Sequence, residues 1–424
     1  MFKQGQIIEN VNINEITYEG YGAVRFDKHL LLVENALINE NVDIKVYKTT
    51  SKISYARVIR FNKISNDRVV DADSALLASG AAPLSNISYD KQLAFKQNFV
   101  KMLFRRQLGY ENVSQIVPSP KEWNYRNKIT IFLQNSIKNT EFGLKMKNSN
   151  IVVSQQGFKL ADTLISDFIN YLKTFKISDF SGVESLTIRT GNDEIQLILN
   201  TENLNKINNN FAEKILLNYK KVKSLVLKKE NKILDYKNQL SLFDQFGHIT
   251  FEINPNSFYQ VNKEQTQNIY NKIKEFISRL NSKSVLDLYC GIGTIGLYVA
   301  EKVDKILGIE VVPEAINNAK TNANLNKITN ANFICKNASK ITSQTLEGID
   351  TIIVDPPRSG LSSAEINILN KSSIKNIIYL SCNPHTLVRD LQLFKEIKIK
   401  EVIPFDMFPQ TPHIETLVLL ERKA

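Results

Sequence analysis

Apolar and polar residues follow their most regular pattern in the last third of the chain, from about Asn256 onwards. Short apolar runs that fit strands alternate there with segments whose apolar residues recur every three to four positions, as on one face of a helix. This alternation predicts an α/β fold with a parallel, doubly wound sheet, whose ligands bind outside the carboxyl ends of the strands. Strands are predicted at Ser284–Leu288, Lys305–Ile309, Asn332–Cys335, Asp350–Val354, Ile377–Leu380, Lys398–Val402 and Leu417–Leu420. Helices are predicted at Gln265–Leu280, Ile295–Glu301 and Pro313–Leu325.

The N-terminal residues show short runs of alternating polarity instead, separated by glycine and asparagine. Gly20 and Gly22 mark the first turn. Five short strands with such turns predict a small β-barrel, an architecture often used to hold single-stranded nucleic acid. The predicted strands are Gly5–Asn10, Ala23–Phe26, Leu30–Val33, Val42–Tyr47 and Ala56–Phe61.

The middle of the chain has a mixed pattern. Residues from about Asn62 to Ser88 are irregular and polar, and a helix is predicted at Asp90–Leu108. Alternating runs such as Lys128–Leu133 and Glu194–Leu199 then predict strands within a middle domain of mixed α and β structure. The chain is therefore divided into three predicted domains, at residues 1–61, 62–255 and 256–424.

The composition fits a folded protein with an anionic partner. Apolar residues make up 43% of the 424 residues, which suits two or three domains and excludes a disordered chain. The net charge is +11, from 54 Lys and Arg against 43 Asp and Glu, and a basic balance attracts phosphate backbones. The charge therefore favours a nucleic-acid partner, with solvated helix faces as the alternative explanation for many lysines.

Two absences narrow the class of protein. No apolar run is long enough for a membrane span and the N-terminal residues show no secretory signal, so a cytoplasmic protein without a membrane partner is expected. The three cysteines, Cys290, Cys335 and Cys382, are too few and too scattered for a disulfide framework or a four-thiolate metal site. No metal site and no obligate protein partner are expected, which leaves room for one reactive thiol.

A glycine-rich turn follows the strand predicted at Ser284–Leu288. Gly291, Gly293 and Gly296 form a G-x-G-x-x-G pattern, and Glu310 ends the next strand, 19 residues after Gly291. Glycines let the backbone approach a ligand, and the carboxylate suits the two hydroxyls of a ribose. The pattern alone fits the dinucleotide of an NAD-linked dehydrogenase as well as S-adenosylmethionine.

The residues around the turn favour the methyl donor. The strand contains Asp287 near its end and the turn carries Tyr289. A carboxylate at this place disfavours an anionic pyrophosphate and is compatible with the positive sulfonium of S-adenosylmethionine. The fourth strand ends in an Asp355-Pro-Pro-Arg358-Ser-Gly360 loop, which directs a carboxylate and a guanidinium into the crevice. Amino-group methyltransferases usually carry an aromatic residue where Arg358 stands, so an exocyclic amine is a less suitable target.

Cys382 is the predicted nucleophile. It follows the strand at Ile377–Leu380 and precedes a helix opened by Pro384, and a helix N-terminus favours the thiolate. Carbon 5 of uracil becomes nucleophilic when a thiolate attacks carbon 6, and a base must afterwards remove the proton from carbon 5. Glu415 is the predicted base, with His413 as a helper or a structural residue.

These motifs resemble those of the RNA uridine-5 methyltransferases over most of the chain. The shared motifs are S-F-Y-Q-V-N from Ser257, D-L-Y-C-G-x-G-T from Asp287, D-P-P-R-x-G from Asp355, L-S-C-N-P from Leu380 and P-x-T-P-H-x-E-T from Pro409. The resemblance implies a Rossmann-like class I methyltransferase domain in which Cys382 is the nucleophile and Glu415 takes the proton. Cytosine-5 enzymes usually carry a cysteine where Pro357 stands, which favours uridine. The candidate residues for the methyl donor are Gln260, Tyr289, Gly291, Gly293, Glu310 and Asp355.

The resemblance extends to RNA binding. The N-terminal barrel resembles the TRAM domain, an RNA-binding module that members acting on large-subunit ribosomal RNA carry and transfer-RNA members usually lack. The stretch from Trp123 to Lys128 resembles the family's Y-R-N-K motif, with a solvated basic strand end as the alternative. The candidate substrate-binding residues are Arg126, Lys128, Arg358 and His413.

One departure from the family concerns an iron–sulfur cluster. Many relatives bind one through four cysteines, including a C-G-G-C run, but Ser79-Gly80-Ala81-Ala82 stands at that place here. The segment Ser154–Phe158, where the fourth ligand would fall, also has no cysteine. No cluster is expected, because no thiolate is there to hold it.

The predicted function is methyl transfer from S-adenosylmethionine to carbon 5 of a uridine in 23S ribosomal RNA. The reaction is expected to pass through a covalent bond between Cys382 and carbon 6, resolved by a general base. Transfer RNA is the alternative substrate. The sequence leaves three further hypotheses open: a cytosine-5 enzyme, a non-catalytic RNA-binding protein of the same fold and a dinucleotide-dependent oxidoreductase.

Overall fold

The chain forms two compact units. The computed structural model describes residues 2–134, 140–146, 149–155 and 157–423. No helix within these residues is both long and apolar enough to cross a lipid bilayer. The division into three domains stays a prediction. The first unit comprises Met1–Phe99, Lys145–Val153 and Phe408–Pro412, and the second comprises Val100–Leu144, Ser154–Met407 and His413–Ala424.

A six-stranded sheet closes into a barrel in the first unit. Its order is β1-β5-β6-β4-β3-β2, in which β1 pairs with β5 while β2, the continuation of the same chain segment, pairs with β3. One segment thus pairs with both ends of the sheet, which gives an OB-like barrel. The predicted barrel and its five strands are confirmed, with β2 added. The strands are β1 (Ile7–Asn12), β2 (Glu15–Ile16), β3 (Gly22–Phe26), β4 (His29–Glu34), β5 (Asn41–Thr49) and β6 (Ile53–Lys63).

Two helices follow the barrel. The helix α1 (Ser74–Ser79) falls in the segment that the pattern predicted to be irregular, so that prediction was wrong there. Asp73 caps its start, because Oδ1 accepts hydrogen bonds from the next turn, and Gly80 ends it with a φ of 71°. Six residues are too few to show a helical period. The helix α2 (Tyr89–Leu108) confirms the one predicted at Asp90–Leu108.

The middle of the sequence forms a seven-stranded mixed sheet in the order β13-β12-β11-β10-β7-β8-β9. One face packs against α3 (Thr163–Leu172) and α4 (Asn209–Asn218), and Ile188 and Leu197 of the sheet share a core there with Phe168. The mixed structure predicted for this region is confirmed. The strands are β7 (Lys128–Gln134), β8 (Glu141–Lys145), β9 (Val152–Ser154), β10 (Ser185–Gly191), β11 (Glu194–Asn200), β12 (Val222–Lys229) and β13 (Lys232–Asn238), and the hairpin β14 (Leu242–Phe246) and β15 (Ile249–Ile253) follows.

The last third of the chain forms a second seven-stranded sheet, in the order β18-β17-β16-β19-β20-β22-β21. The strands are β16 (Ser284–Leu288), β17 (Lys305–Glu310), β18 (Ala331–Cys335), β19 (Thr351–Val354), β20 (Asn376–Ser381), β21 (Ile397–Phe405) and β22 (Glu415–Arg422). The helices are α5 (Lys263–Arg279), α6 (Thr294–Val299), α7 (Pro313–Leu325), α8 (Ser343–Leu346), α9 (Ser363–Lys371) and α10 (Pro384–Leu393). The predicted α/β fold is confirmed.

The final strand reverses the direction of this sheet. The strands from β18 to β20 pair in parallel, whereas β22 is antiparallel to both β20 and β21. The prediction of a parallel sheet was wrong for β22, because a loop and not a crossover helix joins it to β21. The start of β22 consequently lies beside the carboxyl end of β20, where Ser381 pairs with Thr416.

Candidate active site

The glycine turn after β16 is left-handed at several residues. Gly291 has a φ of 54°, Gly293 of 83° and Tyr289 of 68°. A Cβ at Gly293 would lie 3.0 Å from the Phe333 ring, whereas a Cβ at Gly291 would meet no atom within 4 Å. The turn therefore requires glycine at position 293. Gly291, in contrast, borders open space that a ligand can enter.

Asp287 occupies the N-terminus of α6. The Gly296 N–H, in the first turn of that helix, donates to Asp287 Oδ2 over 2.8 Å. Burial raises the pKa of this carboxyl to about 7. A dinucleotide would place its pyrophosphate at this helix end, which already has a carboxylate as its partner. The arrangement supports the preference for a ligand without phosphate.

Glu310 lies at the end of β17 with its carboxylate turned towards the glycine turn. Its Oε2 accepts from the Gly291 N–H over 3.3 Å, and its Oε1 accepts from the Val311 and Val312 N–H groups over 2.7 and 3.0 Å. These hydrogen bonds fix the carboxylate beside Gly291. Such a carboxylate can bind the hydroxyls of a ribose.

A cavity of about 330 Å³ borders Glu310 and Tyr289. The Tyr289 hydroxyl donates to Glu365 Oε1 over 2.7 Å and so joins the glycine turn to α9. Of the other predicted cofactor residues, Gln260, Gly291, Gly293 and Asp355 are not among the described residues that line it. The lining also includes residues that the sequence analysis missed, namely Lys336, Asn337, Ser359, Ser362 and Glu365.

The missed residues could have been found from the fold class. Lys336 and Asn337 directly follow β18, and Ser359 and Ser362 lie in the loop after β19. Loops at the carboxyl ends of strands form the ligand site in this fold, so their position was the available signal. Together with Glu310 and a cavity of ligand size, these residues fit S-adenosylmethionine.

Cys382 and Arg358 lie in two loops that hydrogen bonds hold together. Asn383 caps α10, because its Oδ1 accepts from the His385 N–H over 3.1 Å. The Nδ2 of Asn383 donates to the Arg358 carbonyl over 3.1 Å, and the Thr386 hydroxyl donates to the same oxygen over 3.1 Å. The loop that contains Arg358 is therefore held by hydrogen bonds to the start of α10, the helix that follows Cys382.

The surroundings of Cys382 disfavour ionisation of its thiol. Burial raises its pKa to about 12, the Glu415 and Asp355 carboxylates add to that rise, and Arg358 opposes it. In the free protein, burial and the two acids therefore oppose the expected effect of the helix N-terminus on the thiolate. Desolvation and two nearby acids outweigh a helix dipole that acts over a single turn.

Two acids share this crevice with Cys382. Glu415 is 5% exposed, and its Oε2 has no hydrogen-bond partner among the described residues. Burial raises its pKa well above the usual range, with Asp355 adding to the rise and Arg358 opposing it. Burial also raises the pKa of Asp355, to about 7. The strand register, with Ser381 opposite Thr416, brings Glu415 next to Cys382.

The remaining candidates lie apart from these acids along the chain. Asn127 joins the Y-R-N-K stretch to the Gln260 segment, because its N–H donates to the Val261 carbonyl over 2.9 Å and its Nδ2 donates to the Gln260 carbonyl over 3.0 Å. Lys128 is partly buried on β7, and burial lowers its pKa to about 8. It is therefore not a solvated strand end.

The other two candidate RNA-binding residues, Arg126 and His413, lie in different surroundings. The Arg126 guanidinium lies 5.7 Å from the centre of the Tyr125 ring. His413 is partly buried two residues before β22 begins. Their roles, like those of the other predicted site residues, stay predictions.

Comparison with known proteins gives the family. A family model described as tRNA (Uracil-5-)-methyltransferase matches residues 88–423. The chain belongs to this family. An RNA methyltransferase of Staphylococcus aureus (strain MRSA252) is 33% identical over 445 residues, covering 98% of both chains. An RNA methyltransferase of Enterococcus faecalis is 34% identical, covering 99% of this chain and 98% of its own. One of Lactobacillus johnsonii is 35% identical, covering 99% of both chains.

A solved structure shares the fold of this family member. The Pyrococcus abyssi tRNA (uracil-54, C5)-methyltransferase, in complex with S-adenosyl-L-homocysteine, matches with a TM-score of 0.79 and 24% identity, covering 97% of this chain and 100% of that one. The enzyme is accordingly an S-adenosylmethionine-dependent RNA (uracil-5-)-methyltransferase. The predicted reaction class and methyl donor are confirmed, and the oxidoreductase and non-catalytic hypotheses are wrong.

The segment aligned with the cluster motif of relatives has its own packing. The helix α1 ends at Ser79, whose hydroxyl donates to the Leu76 carbonyl over 2.9 Å, and Ala82 is fully buried. Gln156, within the segment aligned with the fourth ligand, lies outside the described residues. The absence of an iron–sulfur cluster stays a prediction.

Proposed function

We propose that the enzyme methylates carbon 5 of a uridine in large-subunit ribosomal RNA, in the cytoplasm, through a covalent bond between Cys382 and carbon 6. The observation that carries this proposal is the arrangement at the carboxyl ends of β19 and β20 and the start of β22. A thiol, a buried acid and a guanidinium, from Cys382, Glu415 and Arg358, influence one another's charge there. This is the set of groups that the reaction needs.

The enzyme's residues divide the work as follows. The thiolate form of Cys382 bonds through Sγ to carbon 6, which moves an electron pair onto the uracil as an enolate and makes carbon 5 nucleophilic. Bound S-adenosylmethionine supplies the methyl group as a sulfonium. Glu415 then takes the proton from carbon 5, and the electron pair released expels Cys382 as a thiolate. The residues that hold the methyl donor in this proposal are Gln260, Tyr289, Gly291, Gly293, Glu310 and Asp355.

Charge in the crevice decides when Cys382 can react. With a pKa of about 12, the thiol stays protonated in the free protein at neutral pH. The positive charge of Arg358 already lowers the pKa of both Cys382 and Glu415. A further positive charge beside these groups, such as the sulfonium of the methyl donor, would act in the same direction.

The RNA substrate is the less constrained part of the proposal. An OB-like barrel, which we propose to be a TRAM domain, and a net charge of +11 support a large structured RNA. One observation favours transfer RNA as a second candidate. The Pyrococcus abyssi enzyme, which is a tRNA methyltransferase, shares the fold over 97% of this chain, so this fold is compatible with a transfer-RNA substrate.

The test uses labelled S-adenosylmethionine with unmodified large-subunit ribosomal RNA and, separately, unmodified transfer RNA. Cys382→Ala is the test variant, and Cys335→Ala, which removes an exposed thiol, is the matched control. Label on a ribosomal uridine that is lost only with Cys382→Ala supports the proposal. Label on transfer RNA alone moves the proposal to the second candidate. Full activity of Cys382→Ala would refute the covalent mechanism.

A further inference from the structure

Positive charge is concentrated in one stretch of the enzyme. Residues 204–238, which include α4, β12 and β13, contain nine lysines, no arginine and three acidic residues. Their net charge of +6 is more than half of the +11 that the whole chain carries. An even distribution would place a charge of about +1 there. The excess marks this part of the molecule as a separate electrostatic feature.

Ion pairs neutralise only part of this charge. Lys221 pairs with Asp193 over 2.8 Å and Lys229 with Glu202 over 2.8 Å, while Lys237 lies 4.0 Å from Glu213. The remaining lysines form no ion pair with a described residue. These are Lys206, Lys214, Lys220, Lys223, Lys228 and Lys232.

Three of these six lysines line one groove. The groove has a volume of about 700 Å³ and lies between α4 and the edge of the central sheet formed by β12 and β13. Lys214 reaches it from α4, Lys220 from the connection between α4 and β12, and Lys223 from β12; all three are exposed. Asn210 and Asn238 add amide groups to the same lining, and Glu213, which lies 4.0 Å from Lys237, adds one carboxylate against the three lysines.

Protection of the sheet edge explains some lysines but not this groove. Lysines on an edge strand prevent the strand from pairing with other sheets, which accounts for Lys232 and Lys237 on β13. Lys214 lies on a helix and Lys220 in the connection that follows it, where no sheet edge needs protection. Their convergence on a groove therefore calls for an anionic ligand.

The chemistry of the lining selects the kind of ligand. Lysine binds phosphate as a point charge, whereas base recognition usually uses arginine forks or stacked aromatic rings, and the described lining has neither. We propose that this groove binds the phosphate backbone of the substrate RNA, away from the target uridine and without regard to sequence. The inference rests on the proposed function in one respect, that the ligand is the RNA which the enzyme methylates.

The position of the groove suits a second contact on the same RNA. The strand β12 lies three places from β7 in the central sheet, a distance of roughly 14 Å at about 4.8 Å between strands. Lys128 begins β7, and Asn127 beside it is bonded to the Gln260 segment. An RNA bound near that segment can therefore reach the groove.

The test measures RNA affinity as a function of salt. The variant carries Lys214→Gln, Lys220→Gln and Lys223→Gln, and the control carries Lys320→Gln, Lys327→Gln and Lys371→Gln, three exposed lysines of the catalytic region. Each phosphate contact contributes about 0.7 to 0.9 to the slope of log affinity against log salt. The groove variant should lose about 2 to 3 from that slope. Between 50 and 200 mM salt, its affinity should fall about 30-fold less than that of the wild type.

The outcomes separate this inference from the proposed function. A reduced slope in the groove variant alone, with an unchanged methylation rate at saturating RNA, supports the groove. A groove variant that binds naked RNA with the wild-type slope overturns the inference, and so does an equal reduction in the control variant. If the groove variant keeps that slope but binds intact ribosomal particles more weakly, the groove contacts an acidic protein instead, and the inference is again overturned. Failure of the proposed function would instead appear as wild-type enzyme that binds RNA with the expected slope and leaves uridine unmethylated.

Discussion

Replacing Glu415 by glutamine should separate methyl transfer from product release. The amide keeps the size of the side chain and removes its ability to take a proton. Cys382 can still bond to carbon 6, and carbon 5 can still receive the methyl group. The carbon 5 proton then has no acceptor, so the bond between Cys382 and the methylated RNA should persist.

The structure sets the expected magnitudes for Glu415→Gln. The side chain is 5% exposed, its Oε2 has no described hydrogen-bond partner, and burial raises its pKa well above the usual range. Because no hydrogen bond between Oε2 and a described residue is lost, the amide should lower the free energy of unfolding by about 1 kcal/mol or less. Loss of a general base should slow release of the RNA by about 10²- to 10⁴-fold.

The assay is a single turnover with methyl-labelled cofactor, resolved on a denaturing gel. Glu415→Gln should accumulate a labelled protein–RNA band that wild type shows only transiently. Glu421→Gln, on the same strand and paired with Lys400, is the matched control and should behave as wild type. Release of methylated RNA from Glu415→Gln at the wild-type rate, without a persistent band, would refute the role of Glu415 as the base.

Three further predictions follow from the geometry of the crevice. Because the pKa of Cys382 is about 12, its thiolate fraction grows with pH throughout the range from pH 7 to 9. The rate of adduct formation, measured by rapid quench, should therefore rise over that range, and a rate that does not change with pH would contradict this prediction. Asp287 has a pKa of about 7 when folded against a usual 3.8, so the native state holds the extra proton and its stability falls as pH rises from about 4 to 7. Asp287→Asn should remove this loss, which is roughly 4 kcal/mol in all, of which about 3 kcal/mol falls between pH 5 and pH 8. The free energies of urea unfolding at those two pH values should therefore differ less in the variant than in the wild type. Gly293→Ala places a Cβ 3.0 Å from Phe333 at a φ of 83°, so it should lower the free energy of unfolding by more than about 1 kcal/mol and weaken S-adenosylmethionine binding in calorimetry. An unchanged midpoint of urea unfolding would count against this prediction.

The C-terminal sheet was predictable because its inner strands, such as β16, β19 and β20, are buried on both faces and read as short apolar runs. The helix Pro313–Leu325 was predicted with the bounds that the structure has. The direction of β22 was not, since periodicity reports the face of a residue and not the direction of its strand. That direction, rather than any motif, is what brings Glu415 beside Cys382.

The chemistry of the site was predictable by residue type but not by charge state. A cysteine at the end of a strand and an acid before the last strand could be found in the sequence, yet the pKa of each depends on burial and on the other. Cys382 illustrates this point, because its helix N-terminus was visible in the sequence and the two acids that outweigh it were not recognisable as its neighbours. Lys336 and Asn337 carry no motif, so only their place after β18 could reveal them.

The insertion of β22 between β20 and β21 makes catalysis depend on a strand that follows both of its neighbours in the chain. The strands β20 and β21 are consecutive along the chain, and each pairs with β22 rather than with the other. The glycine turn and Glu310 belong to earlier strands, which do not pair with β22. Loosening of β22 would therefore separate the base from its nucleophile and leave the glycine turn and Glu310 in their own strands.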